Sequence, residues 1–401
     1  MRIAFLCSGL EPGRDGVGDY TRRLAANCIL QGHECTILAL DDRHTERSLS
    51  GAATGEKCIR ETQNSDGVDI PCLRCSVSLP RQERIQRIRE YLAAFDPDWV
   101  SLQFVPYGFH PKGLPWRFAR DFEPMIGARP LQIMFHELWI GNATGASWKD
   151  RLIGALQRRC ILRMLRRLKP KLLHTSNATY VRLLERRGFT ALPLPLFGNI
   201  PVSDTAPDAA LPPEISDAGV PSDACGRSGW WLGVFFATLH PEWKPEPLLP
   251  ILRGAANRAG KRICLISAGR QGAAGEALWE QMTREYGRDF LFVRTGEQAA
   301  ERISALLQIA NFGVVSTPWN LIGKSGSAAA MLDHGLPVIV TRKEETAEAS
   351  PVSETPPEPL FHRCDPALED KLVAGLKKRA PVHRAREISV RFIDALRKPG
   401  I

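Results

Sequence analysis

The amino-acid sequence predicts an α/β protein with two parallel sheets wound with helices. Three observations carry this. Short apolar runs alternate with amphipathic helical stretches from the first residue; a Pro/Ala/Asp/Ser/Gly-rich stretch interrupts the pattern near the middle; and the alternation then restarts. At 401 residues the chain has room for two domains of roughly 200 residues each. Hydrophobic residues make up 44% and charged residues 24%, enough apolar material for sizeable cores and too little charge for a disordered chain.

In the first half the predicted strands are 2–7, 35–40, 68–73, 99–103, 131–136 and 172–175. Predicted helices are 19–31, 81–95, 148–168 and 177–187. In the second half the strands are 230–237, 262–267, 290–294, 312–316 and 337–341, with helices at 276–286, 300–309 and 328–334. Residues 382–396 space Ile388, Val390, Phe392, Ile393 and Leu396 like a helix with one apolar side. The expected division is residues 1–202, a linker or loop at 203–229, a second domain at 230–380, and a C-terminal helix at 381–401 that either stays with the second domain or returns to the first.

No apolar run approaches the ~20 residues of a spanning helix. The first residues read as a strand rather than a signal peptide. Most of the ten cysteines lie inside apolar runs, where a reduced thiol is a small hydrophobe, and this points to a reducing cytoplasm. Cys72 and Cys75 are the only close pair, a weak basis for metal or redox chemistry. Lys and Arg outnumber Asp and Glu to give a net charge of +9, which favours anionic partners.

Ligands of open parallel sheets bind beyond the carboxyl ends of the strands, so three loops come first. Residues 8–18 read SGLEPGRDGVG; their glycines permit close backbone approach, and the helix that follows offers amide donors. The order G-x-x-G-x-G is reversed from a dinucleotide fingerprint, and a flexible turn is the plainer reading. His136 ends a strand and can serve as a hydrogen-bonding or proton-transfer group, or as a capped structural residue. The third loop carries Lys324, Ser325, Gly326 and Ser327 into a helix of small residues. A point charge, two hydroxyls and unsatisfied amides suit a diphosphate. It is not a P-loop, because Pro318 stands where the first glycine would be.

The two halves resemble the GT-B glycosyltransferases, and more closely glycosyltransferase family 4. The resemblance rests on GVGDYTRRLA (16–25) with the GHE turn at 32–34, FHELW (135–139), HTSNATYVRLLERRG (174–188), LPLFGNIP (194–201), ISAGRQG (266–272), and the region through GKSGSAAAMLDHGLPVIV. It implies two Rossmann-like domains facing across a cleft, with a nucleotide-sugar donor held mainly by the second and the acceptor by the first. It implies a retaining transferase that needs no metal and no cofactor. Gly16, Gly18 and Asp19 would lie at the donor phosphate or sugar, His136 would contact the transferred sugar, and Lys244 and Lys324 would neutralise the leaving diphosphate. Two glutamates usual in the family, eight positions apart, are replaced by Ile322 and Ala330, and the usual Gly-Arg by Ala237 and Thr238. The function expected is therefore transfer of a sugar to a saccharide or lipid-linked glycan, or alternatively a noncatalytic GT-B protein that partners another transferase.

Residues 152–171 hold seven basic and no acidic residues at amphipathic spacing. That pattern fits either contact with an anionic membrane at its inner face or a domain helix with a solvated basic side. Nucleic acid is disfavoured as a partner, since no aromatic platform accompanies the charge.

Overall fold

The computed structural model describes residues 1–45, 57–143, 145–203, 211–240, 243–342 and 358–398. The chain divides into two compact units. One comprises Met1–Leu196 with the C-terminal residues from Ala385; the other comprises the residues from Phe197 to Arg384 that lie between.

The first unit is built on eight strands: β1 (Arg2–Cys7), β2 (Glu34–Asp42), β3 (Cys58–Ser65), β4 (Val68–Ser76), β5 (Trp99–Phe104), β6 (Leu131–Phe135), β7 (Leu172–Thr175) and β8 (Leu192–Pro193). Their order is β3-β4-β2-β1-β5-β6-β7-β8, and every pairing is parallel except β3 with β4. The central strands β5 and β6 are buried throughout and read as mainly apolar runs, with Ser101, Gln103 and Gln132 as polar residues inside them. β3 escapes that pattern. Its sequence CIRETQNS alternates half-buried and polar positions at the sheet edge, and it joins β4 through Asp66 and Gly67 at φ of 50° and 75°. Two consecutive left-handed residues make a tight hairpin turn, for which Asp-Gly is a favoured pair.

The helices match expectation closely: Arg81–Phe95 and Trp148–Leu168 fall where the periodicity places them. The Trp148–Leu168 helix buries Gly154, Gln157, Cys160, Ile161, Met164 and Leu165 on the unit, so its arginine-rich face is the outer one. The last helix, Arg384–Arg397, packs on the first unit: Phe392 lies 5.7 Å from Phe5 between ring centres, and Gln31 donates to Ser389 Oγ at 2.6 Å. Ile388, Phe392, Ile393 and Leu396 are all buried, each stabilising by roughly 1.5–3 kcal/mol. Val390, expected on the same apolar side, is exposed.

The second unit carries β9 (Trp230–Phe236), β10 (Arg262–Ala268), β11 (Leu291–Gly296), β12 (Phe312–Pro318), β13 (Val338–Arg342) and β14 (Phe361–Arg363), all parallel, in the order β11-β10-β9-β12-β13-β14. Counted from β9 this is the doubly wound order 3-2-1-4-5-6, whose direction of winding reverses between β9 and β12. The 203–229 stretch is not wholly irregular. Short helices run over Pro213–Asp217 and Ala224–Arg227, and Leu211, Ile215 and Val220 are buried in the second unit's core. Three apolar residues too widely spaced for one helix were enough to anchor it. Residues 204–210 lie outside the described residues. Among the described residues no helix is long and apolar enough to cross a membrane.

Candidate functional site

The carboxyl end of the first sheet gathers four of the residues singled out in the sequence, Gly16, Gly18, Asp19 and His136. The turn after β1 leads into the helix Gly16–Ile29, capped by Asp15, whose Oδ1 accepts from the amides of Val17 (2.9 Å) and Gly18 (3.1 Å). Ser8 Oγ donates to the other carboxylate oxygen at 3.4 Å. The Gly18 amide is thus occupied within the protein. Gly18 also has a packing role, since a Cβ there would lie 2.7 Å from the Gly9 carbonyl oxygen. Asp19 accepts from the Gly13 amide at 3.0 Å and pairs with Arg22. Burial pushes the carboxyls of Asp15 and Asp19 above the usual range despite these donors.

A second layer pins the turn. Arg74, almost fully buried on β4, donates to Asp42 (2.7 Å), Glu11 (2.7 Å) and Glu61 (3.3 Å), and Asp42 in turn accepts from the Leu10 amide at 3.1 Å. Arg22 donates to the Leu10 carbonyl at 2.8 Å. Buried charges are tolerated only when paired and hydrogen-bonded, and this network meets that condition. Neither Asp42 nor Arg74 carries a local sequence signal; the fold brings them together.

His136 follows β6 and is buried. Its Nε2 lies 3.0 Å from Gln103 Oε1. A chain of side chains extends across the sheet behind it: Gln103 donates to Ser101 Oγ (2.8 Å), Ser101 to Gln132 Oε1 (2.6 Å), and Gln132 to His174 Nδ1 (3.2 Å). The direction of these donors assigns Gln103 Oε1 as acceptor, so His136 carries its proton on Nε2 and presents Nδ1 as a lone pair. Burial lowers the His136 imidazole to about 3 and that of His174 to about 4. His136 is therefore neutral at physiological pH. Such a group accepts a hydroxyl hydrogen bond better than it donates a proton. Tyr20 meets its ring edge-on with centroids 4.9 Å apart. Gln103 and Tyr20 were not foreseen, although a glutamine closing an apolar strand is a readable signal.

Beside this turn lies a cavity of about 360 Å³ lined by Arg81, Arg84, His110, Trp116, Arg117 and Phe118, among others. Arg81 pairs with Asp121 and Arg84 with Asp41, while Trp116 is about half exposed. Aromatic faces interleaved with paired ions form a surface suited to a polyhydroxylated ligand.

In the second unit, β12 runs into a 3-10 turn, Trp319–Lys324, and then into the helix Gly326–Asp333. Ser325 caps that helix: its Oγ accepts from the Ala328 amide at 3.3 Å and lies 3.1 Å from Ser327 Oγ. The amides of Gly326 and Ser327, first in the helix, have no carbonyl one turn earlier within it. Lys324, partly exposed, ends the 3-10 turn beside them. This turn follows one of the two strands at which the sheet's winding reverses, the place where open α/β sheets bind ligands.

The loop after β9 is clasped on both sides. Gln271 donates to the Ala237 carbonyl (2.7 Å) and accepts from the Leu239 amide (2.9 Å), and the His240 amide donates to Ser316 Oγ at 3.2 Å. Ala237 sits at φ 68°, the conformation that favours glycine, so the glycine geometry persists with an alanine in it. Thr238 bonds the Arg270 carbonyl at 3.4 Å. Lys244 is exposed in the same loop, just after Trp243, whose indole donates to Thr341 at 2.7 Å.

Ile322 and Ala330 are both buried in the second unit's apolar core. Gly198 packs directly on Ala330, and its amide donates to Asp333 at 2.8 Å. Positions 322 and 330, where the family resemblance leads one to expect glutamates, are here closed by packing. Among the described residues no cluster of three or more His, Cys, Asp or Glu side chains is arranged to hold a metal ion.

No family model matches the chain, and no curated protein is a significant match. Solved structures do match over its whole length. The catalytic domain of starch synthase IV from Arabidopsis thaliana, bound to ADP and acarbose, superposes with a TM-score of 0.56 at 10% identity, covering 100% of this chain and 99% of that one. HepE from Anabaena in complex with UDP gives 0.52 at 12% identity over 100% of this chain and 91% of the other. The UDP-GlcNAc 2-epimerase of Methanocaldococcus jannaschii gives 0.51 at 10% identity over 98% and 99%. The fold is of the GT-B type. Within a GT-B frame, β9 and β12 are the first and fourth strands of the second Rossmann-like unit, and the Lys324–Ser327 turn belongs to that unit's reversal point.

Proposed function

We propose that this GT-B protein binds a nucleoside diphosphate sugar and transfers the sugar, with retention of configuration, to a saccharide or lipid-linked glycan. The observation that carries the reading is the turn Lys324–Ser327: a lysine, two hydroxyls 3.1 Å apart and the opening amides of a helix follow one another where the second sheet reverses its winding. Cleaving a glycosyl–phosphate bond builds negative charge on the leaving diphosphate, and preorganised cations and amides lower the barrier by stabilising it. Lys324 takes that charge, Lys244 adds to the local potential, and Ser325 and Ser327 orient phosphate oxygens. His136, neutral and held by Gln103, accepts from a hydroxyl of the transferred sugar, and Gly16, Gly18 and Asp19 shape the turn beside it. The cavity bordered by Trp116 receives the acceptor. That solved structures of the same fold hold UDP or ADP supports a nucleotide ligand.

A noncatalytic GT-B protein is the second reading, favoured by the apolar packing at Ile322 and Ala330 and by the alanine at position 237. Release of nucleoside diphosphate from a panel of sugar nucleotides separates the two. The transferase reading expects turnover that Lys324→Ala abolishes without unfolding; a folded wild type inert toward every donor and acceptor supports the second. The outward basic face of the Trp148–Leu168 helix, with Trp148 and Leu152 exposed at its start, suits an anionic membrane surface that would present a lipid-linked acceptor.

A further inference from the structure

In space Cys75 meets Cys58 rather than Cys72, its close neighbour in the sequence. Residues three apart on a strand point to opposite faces, and the Cys72 thiol donates to the Ile70 carbonyl at 3.3 Å. Cys75 instead stands opposite Cys58 in the antiparallel ladder of β3 and β4. The Ser76 amide donates to the Lys57 carbonyl at 2.8 Å, which makes 57/76 a hydrogen-bonded pair. Cys58/Cys75, one step along, is therefore a non-bonded pair, the register in which facing side chains approach most closely. Their sulfurs are 2.6 Å apart.

The two thiols differ in access. Cys75 is fully buried, whereas Cys58 is half-buried and lines a cavity of about 580 Å³ bordered by Lys57, Arg60, Glu83, Arg87 and Glu90. The hydrogen bond from Cys75, with Arg87 and Arg60 nearby, holds the Cys58 thiol below the ordinary range, while Cys75 is pushed up.

We propose that Cys58 and Cys75 form a redox-active dithiol, with Cys58 as the thiolate that meets a hydroperoxide entering the neighbouring cavity and Cys75 as the resolving thiol. With hydrogen peroxide, the Cys58 sulfur attacks one oxygen, the O–O bond breaks, and hydroxide departs with the bonding pair. Cys58 becomes a sulfenic acid, oxidised by two electrons. Cys75 then gives up its proton and attacks the Cys58 sulfur; the S–O bond breaks, the leaving hydroxide and that proton form water, and the disulfide closes.

The test uses the full chain carrying Cys225→Ser, which removes the exposed thiol, treated under native conditions with stoichiometric hydrogen peroxide. Peptide mapping should find a linked 58–75 peptide, the loss of two titratable thiols, and full reversal by dithiothreitol. Adding Cys75→Ser should leave a sulfenic acid on Cys58 that a dimedone probe captures, with little capture when Cys75 is present. A first bridge at any other pair, or no bridge at all, overturns the proposal. So does capture at Cys75 in a Cys58→Ser chain at the rate seen for Cys58. If either variant misfolds, mapping in the Cys225→Ser chain decides alone.

Discussion

A Cβ on Gly198 would lie 2.5 Å from the Cα of Ala330, so the two backbones meet with no side chain between them. Position 330, where the family resemblance leads one to expect a glutamate, is here packed against Gly198. Ala330→Glu is expected to force a carboxylate into a packed apolar neighbourhood and to destabilise the protein by about 3 kcal/mol or more. Gly198→Ala should cost about 1–3 kcal/mol. Urea unfolding measures both. A neutral Ala330→Glu would show that the position opens to water.

Gly18→Ala addresses the turn after β1. The added methyl would meet the Gly9 carbonyl oxygen at 2.7 Å, a backbone atom with little room to retreat. A loss of about 1–3 kcal/mol follows, read as a lowered thermal midpoint. Asp15→Asn, which keeps an accepting oxygen for the Val17 and Gly18 amides, should change stability far less.

His136 and His174 make stability depend on pH. Both fold with values near 3 and 4, below the unfolded value near 6.5, so between those limits the unfolded chain binds the extra protons. Stability is full above about pH 6.5 and falls as pH drops toward 4, by about 1.4 kcal/mol per pH unit for each histidine. The difference between wild type and His136→Asn, measured by urea unfolding at pH 7.5 and 5.0, should shrink at the lower pH. Nitrogen-15 spectra of the imidazole should show the Nε2–H tautomer unchanged from pH 5 to 8. A titration of His136 near 6.5 would contradict its burial.

Much of this fold is legible in the sequence because buried parallel strands must be apolar on both faces. Arg2–Cys7 and Leu172–Thr175 fall where the apolar runs place them, and Leu131–Phe135 ends one residue before its expected bound, leaving His136 to open the loop. β3 is missed for the opposite reason: an edge strand needs no apolar run, and its only sign is the Asp-Gly that joins it to the predicted 68–73 strand. The Lys324–Ser327 turn is local, hence readable. The Gln103–His136 contact and the Arg74–Asp42 pair join residues 33 and 32 positions apart, and only the register of the sheet brings them together. The neutral state of His136 is likewise a consequence of burial, which spacing does not reveal.

Lys324→Ala should weaken nucleoside diphosphate binding by roughly 1.5–3 kcal/mol, about 10- to 150-fold, the range for a charge-assisted hydrogen bond. Lys324→Arg should retain part of the affinity and Lys244→Ala should lose less, since Lys244 is exposed. Isothermal titration at two salt concentrations checks the order.

The most direct measurement is the thermal midpoint of the wild type and of Lys324→Ala with UDP, ADP, GDP and dTDP at millimolar concentration. A ligand bound only by the native state raises the midpoint. At least one of these diphosphates should raise it for the wild type, more than its nucleoside does, and the shift should be lost in Lys324→Ala. A wild type that none of the four shifts, or an equal shift in the variant, would contradict the assignment of this turn as the diphosphate site.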